Sequence, residues 1–207
     1  PGTTRQKNIG IKKSHGKYII FLDDDVVLDK DYILEIMRVF NSYPEETIGG
    51  ITGNVLEAPE SKLRKLLSSC YQMYAQFFLL PKYGNGRFRL SGSATMIKSG
   101  TVDKTINIDY IYGCNMAFRR KIFDNYLFDE SLPRSLSIWL GEDDDIAYYL
   151  IKRQHQNFYT PFAKLIHKFS PLARPNNYEN MKNSMTVGYQ LFKKNLPQDL
   201  KHKFAFW

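Results

Sequence analysis

The sequence predicts an α/β sandwich around a mainly parallel central sheet. Three observations carry that expectation. Short apolar, β-branched runs alternate along the chain with longer segments whose apolar residues recur every three or four positions, the pattern of strands and helices packed in layers. The run "KYIIFL" is apolar through Ile19–Leu22 rather than at alternate positions, which marks a strand covered on both faces, central and parallel. Asp23, Asp24 and Asp25 follow it directly, at a carboxyl end of the sheet where ligands of such folds bind.

Taken in order, "TTRQKNIGIKKSH" predicts a short basic helix over 3–15, with Gly16 at its C-terminal stop. After the strand, Asp29 is placed to cap a helix over 30–42, where Ile33, Ile36, Met37 and Phe40 share a face. "IGGITGNVLE" reads as a second strand interrupted by glycines. Residues 61–80 form an amphipathic to strongly apolar helix, better read as a core helix than as an interfacial one. "PKYGNGRFRLSG" is a turn-rich loop, and "YIYGCNMAFRR" a short strand leading into a helix near 119–125. "GEDDDIAYYLIKRQ" is a helix with its acids on the first turn, the favourable end of the dipole. "NFYTPFAKLIHKFS" is a strand broken at Pro161 that ends at His167, and a polar helix follows over 177–195. These elements divide into a main domain over 1–175 and a basic helical extension over 176–207.

With 207 residues, 43% of them hydrophobic, the chain can bury one sizeable core. Two distant cysteines, Cys70 and Cys114, make neither a disulfide framework nor a metal-ligand spacing, and point to a reduced cytoplasmic compartment. No run of about 18 apolar residues is present, so no membrane span is expected. The first residue is Pro1 and the last stretch is apolar, so the chain is expected to be part of a longer one. The net charge of +8 has a definite place: residues 151–207 hold ten Lys/Arg against two Asp/Glu, while residues 1–150 hold 19 of each sign. A basic region of this kind meets phosphates, nucleic acid or an anionic membrane surface, or is simply a solvated face.

Three adjacent carboxylates beside an apolar strand are costly unless a cation neutralises them. A hard divalent ion, Mn²⁺ or Mg²⁺, is the simplest partner, and on an extended segment Asp23 and Asp25 point to one side and Asp24 to the other. A solvated acidic turn is the alternative. The second cluster, Glu142 to Asp145, could serve only the helix dipole. Four acids in a row also repel, which raises at least one pKa and makes a candidate general base. His167, at the end of its strand, is either structural or the third ligand of a carboxylate metal site.

These motifs, in this order, resemble family 2 glycosyltransferases, the inverting enzymes of GT-A type. The resemblance runs from "GTTRQKNIGIKKSHGKYIIFLDDDVVLDKDYI" through "GCNMAFRR" and "GEDDDIAYYLIKR" to "TPFAKLIHKFS". It implies a GT-A-type, nucleotide-diphospho-sugar transferase sandwich that lacks the N-terminal strand and loop holding the nucleobase. It implies a metal site of Asp23, Asp25 and His167, with Asp25 the more direct ligand. A nucleoside-diphosphate sugar would meet Arg5, Lys7, Asn8, Asp23, Asp24, Gly113 and Asn115. Asp143 would be the general base with Glu142 beside it, and Trp139, Gly141 and Glu142 would face a glycan or lipid-linked acceptor. The family's "RN" reads Lys7-Asn8 here, and lysine lacks the planar fork of arginine. The basic tail suits a peripheral position at the inner face of the cell membrane.

A phosphatase of the haloacid dehalogenase class also places D-x-D after an apolar strand, with Asp23 as nucleophile and Asp25 as acid/base, but has no role for His167. A calcium loop starting at Asp23 fails, since its sixth position is Leu28 and its twelfth Leu34. Nucleic acid is not expected as a partner, because the tail lacks zinc spacing and a helix-turn-helix signature.

Overall fold

The computed structural model describes residues 2–56, 70, 73, 82–132, 141–168 and 177–207. The expected helix over 61–80 lies outside these residues apart from Cys70 and Met73, and Trp139 lies outside them altogether. Helix α1 (Thr3–Lys13) leads into β1 (Tyr18–Leu22), β2 (Val26–Leu28) and α2 (Tyr32–Ser42). Then come β3 (Ile48–Leu56), β4 (Ile106–Ile108), β5 (Asn115–Arg119) and a 3₁₀ turn over Arg120–Asp124. Helix α3 (Glu142–Lys152), the long β6 (Gln156–His167), α4 (Asn177–Asn195) and α5 (Leu200–Phe206) complete the order.

The strands form one sheet in the order β1-β5-β3-β6-β2, with β4 also pairing β6. β3 and β6 pair in parallel, and β5 runs antiparallel to both β1 and β3, so β1, β3 and β6 point the same way. The α/β sandwich is as the sequence predicts, and its sheet is mixed in detail: β5, β2 and β4 run against the parallel set. The central position expected for β1 is corrected. Among the described residues it pairs with β5 alone.

Alternation along the strands builds two cores. Ile19, Met116 and Phe118 face one way, onto Ile11 of α1 and Ile146, Ala147 and Leu150 of α3. Ala117, Ile51 and Phe158 face the other way, onto Tyr32, Ile36, Val39 and Phe40 of α2. That two-sided cover is why these strands are apolar throughout. Ile33, expected on the buried face of α2, is exposed, and Tyr32 and Val39 are buried there instead. Asp29 does not cap α2: its side chain accepts from Asp31 N–H in a turn just upstream, and Asp31 is the N-cap residue. Helix α1 stops at Ser14, before Gly16.

One bend positions the site. The three-residue aspartate turn joins β1 and β2, which stand at opposite ends of the strand order. The far end of β6, which carries β2, must therefore fold back towards β1. β6 supplies this with a register shift: Gly53 pairs Thr160, yet Asn54 pairs Lys164. The extra residues include Pro161, which has no N–H for a ladder and is tolerated at such a bulge.

Candidate active site

Strand register places the acids. Val26 pairs His167, so Asp25, one residue earlier, lies beside the imidazole, and Lys168 N–H donates to the Asp25 carbonyl at 2.8 Å. His167 Nε2 is 2.8 Å from Asp25 Oδ1 and 3.9 Å from Asp23 Oδ2. One ligand atom from each of Asp23, Asp25 and His167 lies within 4.8 Å of the other two. Two carboxylates and one imidazole with an open side fit Mn²⁺ or Mg²⁺, which fill their remaining positions with water and phosphate oxygens. Partial burial raises Asp23 above its ordinary value, opposed by the charges of Lys7 and His167. Asp24 is exposed at the tip of the turn.

The four acids of α3 diverge around its first turn, each residue rotated about 100° from the last. Glu142 Oε1 accepts from Lys7 Nζ at 2.7 Å in a largely buried ion pair, with 11% and 8% of the Lys7 and Glu142 side chains exposed. Asp143 Oδ2 accepts from Gly113 N–H at 3.1 Å, and Asp143 Oδ1 accepts from Asp144 N–H at 3.0 Å. Asp145 is buried and accepts from Lys194, Tyr126 and Asn195 at 2.9, 3.1 and 3.1 Å. Asp143 combines a raised pKa with a position in the site. Burial, then the charge of Glu142, push it up to about 7, and Lys7 pulls the other way. Such a carboxylate is poised to take a proton near neutral pH.

Two consecutive residues join the halves of the site. Leu22 pairs Asn115, so Asp23 N–H reaches the Cys114 carbonyl at 3.3 Å, while Gly113 N–H holds Asp143. A Cβ on Gly113 would stand 2.9 Å from Asp143 Oδ2, so the close approach of the carboxylate requires glycine here.

The remaining residues singled out in the sequence divide between surface and support. Arg5 is exposed on α1. Asn8 is buried, its Nδ2 donating to the Phe128 carbonyl and its Oδ1 accepting from Phe128 N–H, each at 2.9 Å. Asn115 is also buried. Its Oδ1 accepts from Thr52 Oγ1 at 2.9 Å, Tyr32 Oη at 3.3 Å and Gly53 N–H. Gly141 is the buried, left-handed N-cap of α3, φ 72°, and a Cβ there would meet Val187 and Leu191 of α4 at 2.6 and 2.7 Å. Sequence reading missed the Lys7–Glu142 pair and the Cys114 carbonyl. The pair spans 135 positions with no local pattern, and a backbone acceptor leaves no residue-type signal.

With this geometry in place, the comparisons with known proteins agree on its class. Residues 2–127 match the model of the family described as glycosyl transferase family 2, and the chain belongs to that family. No curated protein matches. Among solved structures, the chain is similar to GalNAc-T7 crystallised with UDP, GalNAc and Mn²⁺, at 14% identity and a TM-score of 0.63, covering 99% of this chain and 36% of that one. It is also similar to residues 1–349 of TarS from S. aureus in complex with UDP-GlcNAc, at 10% identity and a TM-score of 0.53, covering 100% and 51%. A mycobacterial protein gives 13% identity and a TM-score of 0.52, over 96% and 53%. At these identities the likeness is one of fold, the GT-A type. The chain spans between about a third and a half of the length of these proteins. The family match leaves the phosphatase reading without support. Among the described residues, no helix is long and apolar enough to cross a membrane.

Proposed function

We propose that the protein is an inverting glycosyltransferase that moves a hexosyl or deoxyhexosyl group from a nucleoside-diphosphate sugar to a hydroxyl of a glycan or lipid-linked acceptor. The observation that supports this reading is the bridge through Gly113 and Cys114, which sets the Asp143 carboxylate beside the cluster of Asp23, Asp25 and His167. Asp143 takes the proton of the acceptor hydroxyl. The acceptor oxygen forms a bond to the anomeric carbon as the bond from that carbon to the diphosphate oxygen breaks, and the nucleoside diphosphate leaves. Attack from the face opposite the leaving group inverts the anomeric centre. Asp23, Asp25 and His167 would hold Mn²⁺ or Mg²⁺, which when bound neutralises charge on the diphosphate.

In this reading Arg5, Asp24 and the Gly113 backbone border the donor. Lys7, Asn8, Asn115 and Gly141 stand behind them, and Glu142 sets the charge around the base. The GT-A neighbours crystallised with UDP and with UDP-GlcNAc make a uridine nucleotide the first donor to try.

The test is calorimetry of UDP, GDP and dTDP binding, with Mn²⁺ and without, on the wild type and Asp25→Ala. Binding of one nucleotide that requires Mn²⁺ and is lost in the variant is the expected result. Equal affinity in the two proteins contradicts the role given to Asp25.

A further inference from the structure

We propose that the outer face shared by α4 and α5 docks on an anionic lipid surface. Helix α5 turns Phe206 inward, its ring 4.6 Å from Phe192 and 6.0 Å from Tyr189. That orientation sends Leu200, Phe204 and Trp207, spaced i, i+4 and i+7, into solvent, 87%, 89% and 85% exposed. The patch does not end with α5. The Trp207 ring lies 6.0 Å from Tyr189, and Tyr189 and Met185, one turn apart on α4, are exposed as well. Five large apolar side chains on one continuous surface are far more than a solvated helix face needs.

Charge selects the occupant. Lys182, Lys193, Lys201 and Lys203 are exposed on the same two helices. Between 182 and 207 the single acid is Asp199, and its carboxylate is taken by His202. A second copy of this face would bring like charges together. A bilayer rich in anionic headgroups meets both features at once: Trp, Phe and Leu enter the boundary below the headgroups while the lysines stay among them. Nucleic acid would satisfy the lysines but leave Leu200 and Met185 against a charged polymer. Docking would bring the enzyme to a lipid-linked acceptor. That consequence rests on the transferase reading, whereas the docking itself does not.

The experiment is flotation of the full chain with vesicles of phosphatidylcholine alone and of phosphatidylcholine mixed with phosphatidylglycerol. Two variants accompany it, Leu200→Ser with Phe204→Ser and Trp207→Ser, and Lys201→Glu with Lys203→Glu. Each is checked for an unchanged far-UV spectrum. The expected result is retention by the anionic vesicles only, weakened about tenfold or more in each variant and by added salt. Absence of retention overturns the proposal, as does retention that the serine variant leaves unchanged, or recovery of the protein on nucleic acid or an acidic peptide in place of vesicles. A protein that floats with vesicles but binds no nucleotide retains the docking and removes the transferase reading, and the converse result separates the two in the other direction.

Discussion

At the scale of single residues, Asp143 decides the pH behaviour. Its folded-state pKa is raised towards 7 from an ordinary 3.8, by burial first and then by Glu142. The folded protein therefore holds this proton between those two values while the unfolded chain has released it. Stability from this group is present below about pH 4 and declines as pH rises through 7. Asp143→Asn removes the cost of the buried charge and keeps an acceptor for Gly113 N–H. It should gain about 1–2 kcal/mol at pH 8, discounted because the carboxylate is partly exposed, and little at pH 4. Denaturant melts at the two pH values check this. The same variant should lose about 10²–10⁴-fold in turnover. For the active protein, the acid limb of the rate profile should fall to lower pH in Glu142→Gln, which removes a repelling charge, and rise in Lys7→Met, which removes an attracting one. If both profiles coincide with the wild type, the pair does not tune the base. Gly113→Ala is a third case. Its Cβ would collide with the tip of the Asp143 side chain rather than with backbone, so the fold should lose under about 1 kcal/mol while turnover drops about 10–100-fold. A large fall in melting temperature would contradict that division.

At the scale of elements, Gly141 lets α3 and α4 approach. Its left-handed φ disfavours a side chain, and the space a Cβ needs is filled by Val187 and Leu191. Gly141→Ala should cost about 1–3 kcal/mol in urea denaturation through strain and overpacking together. A stability equal to wild type would mean that α4 yields without loss. This glycine was legible in the sequence only as the residue before the acids. Nothing local marks it as the seat of a helix lying 46 positions away at Val187. The helix positions themselves were more readable: the 11-residue α3 follows from its first-turn acids, and the 19-residue α4 matches the polar helix expected over 177–195. Elements whose pattern is local were legible, and those set by partners were not. β1 reads as central because both its faces are covered, yet coverage by helices reports nothing about which strands lie at its edges.

At the scale of the molecule, D-x-D, "GED" and the strand-terminal histidine were legible because the proposed chemistry calls for those residue types. Their convergence was expected only through the family resemblance, since it depends on a bend in β6 and a ladder between β5 and β1. The relation of residues 177–207 to the rest was the least legible. Basic composition suggests an appended extension, but the contacts resemble those of a core. Val187 and Leu191 pack with Leu132, and Lys194 reaches both Asp129 and Asp145. Asp145 is buried near Asp143 on α3 and depends on α4 for two of its three side-chain donors. Removing one partner of a buried ion typically costs several kcal/mol, because the charge that stays behind is not re-solvated. Lys194→Met should therefore lose about 2–4 kcal/mol at pH 7, and less when Asp145 is replaced by Asn in the same chain. A thermal melt of the whole chain should show one cooperative transition with α4 amides protected as well as those of β6. Two separate transitions, with α4 exchanging early and Lys194→Met near wild type, would make residues 177–207 an independent extension.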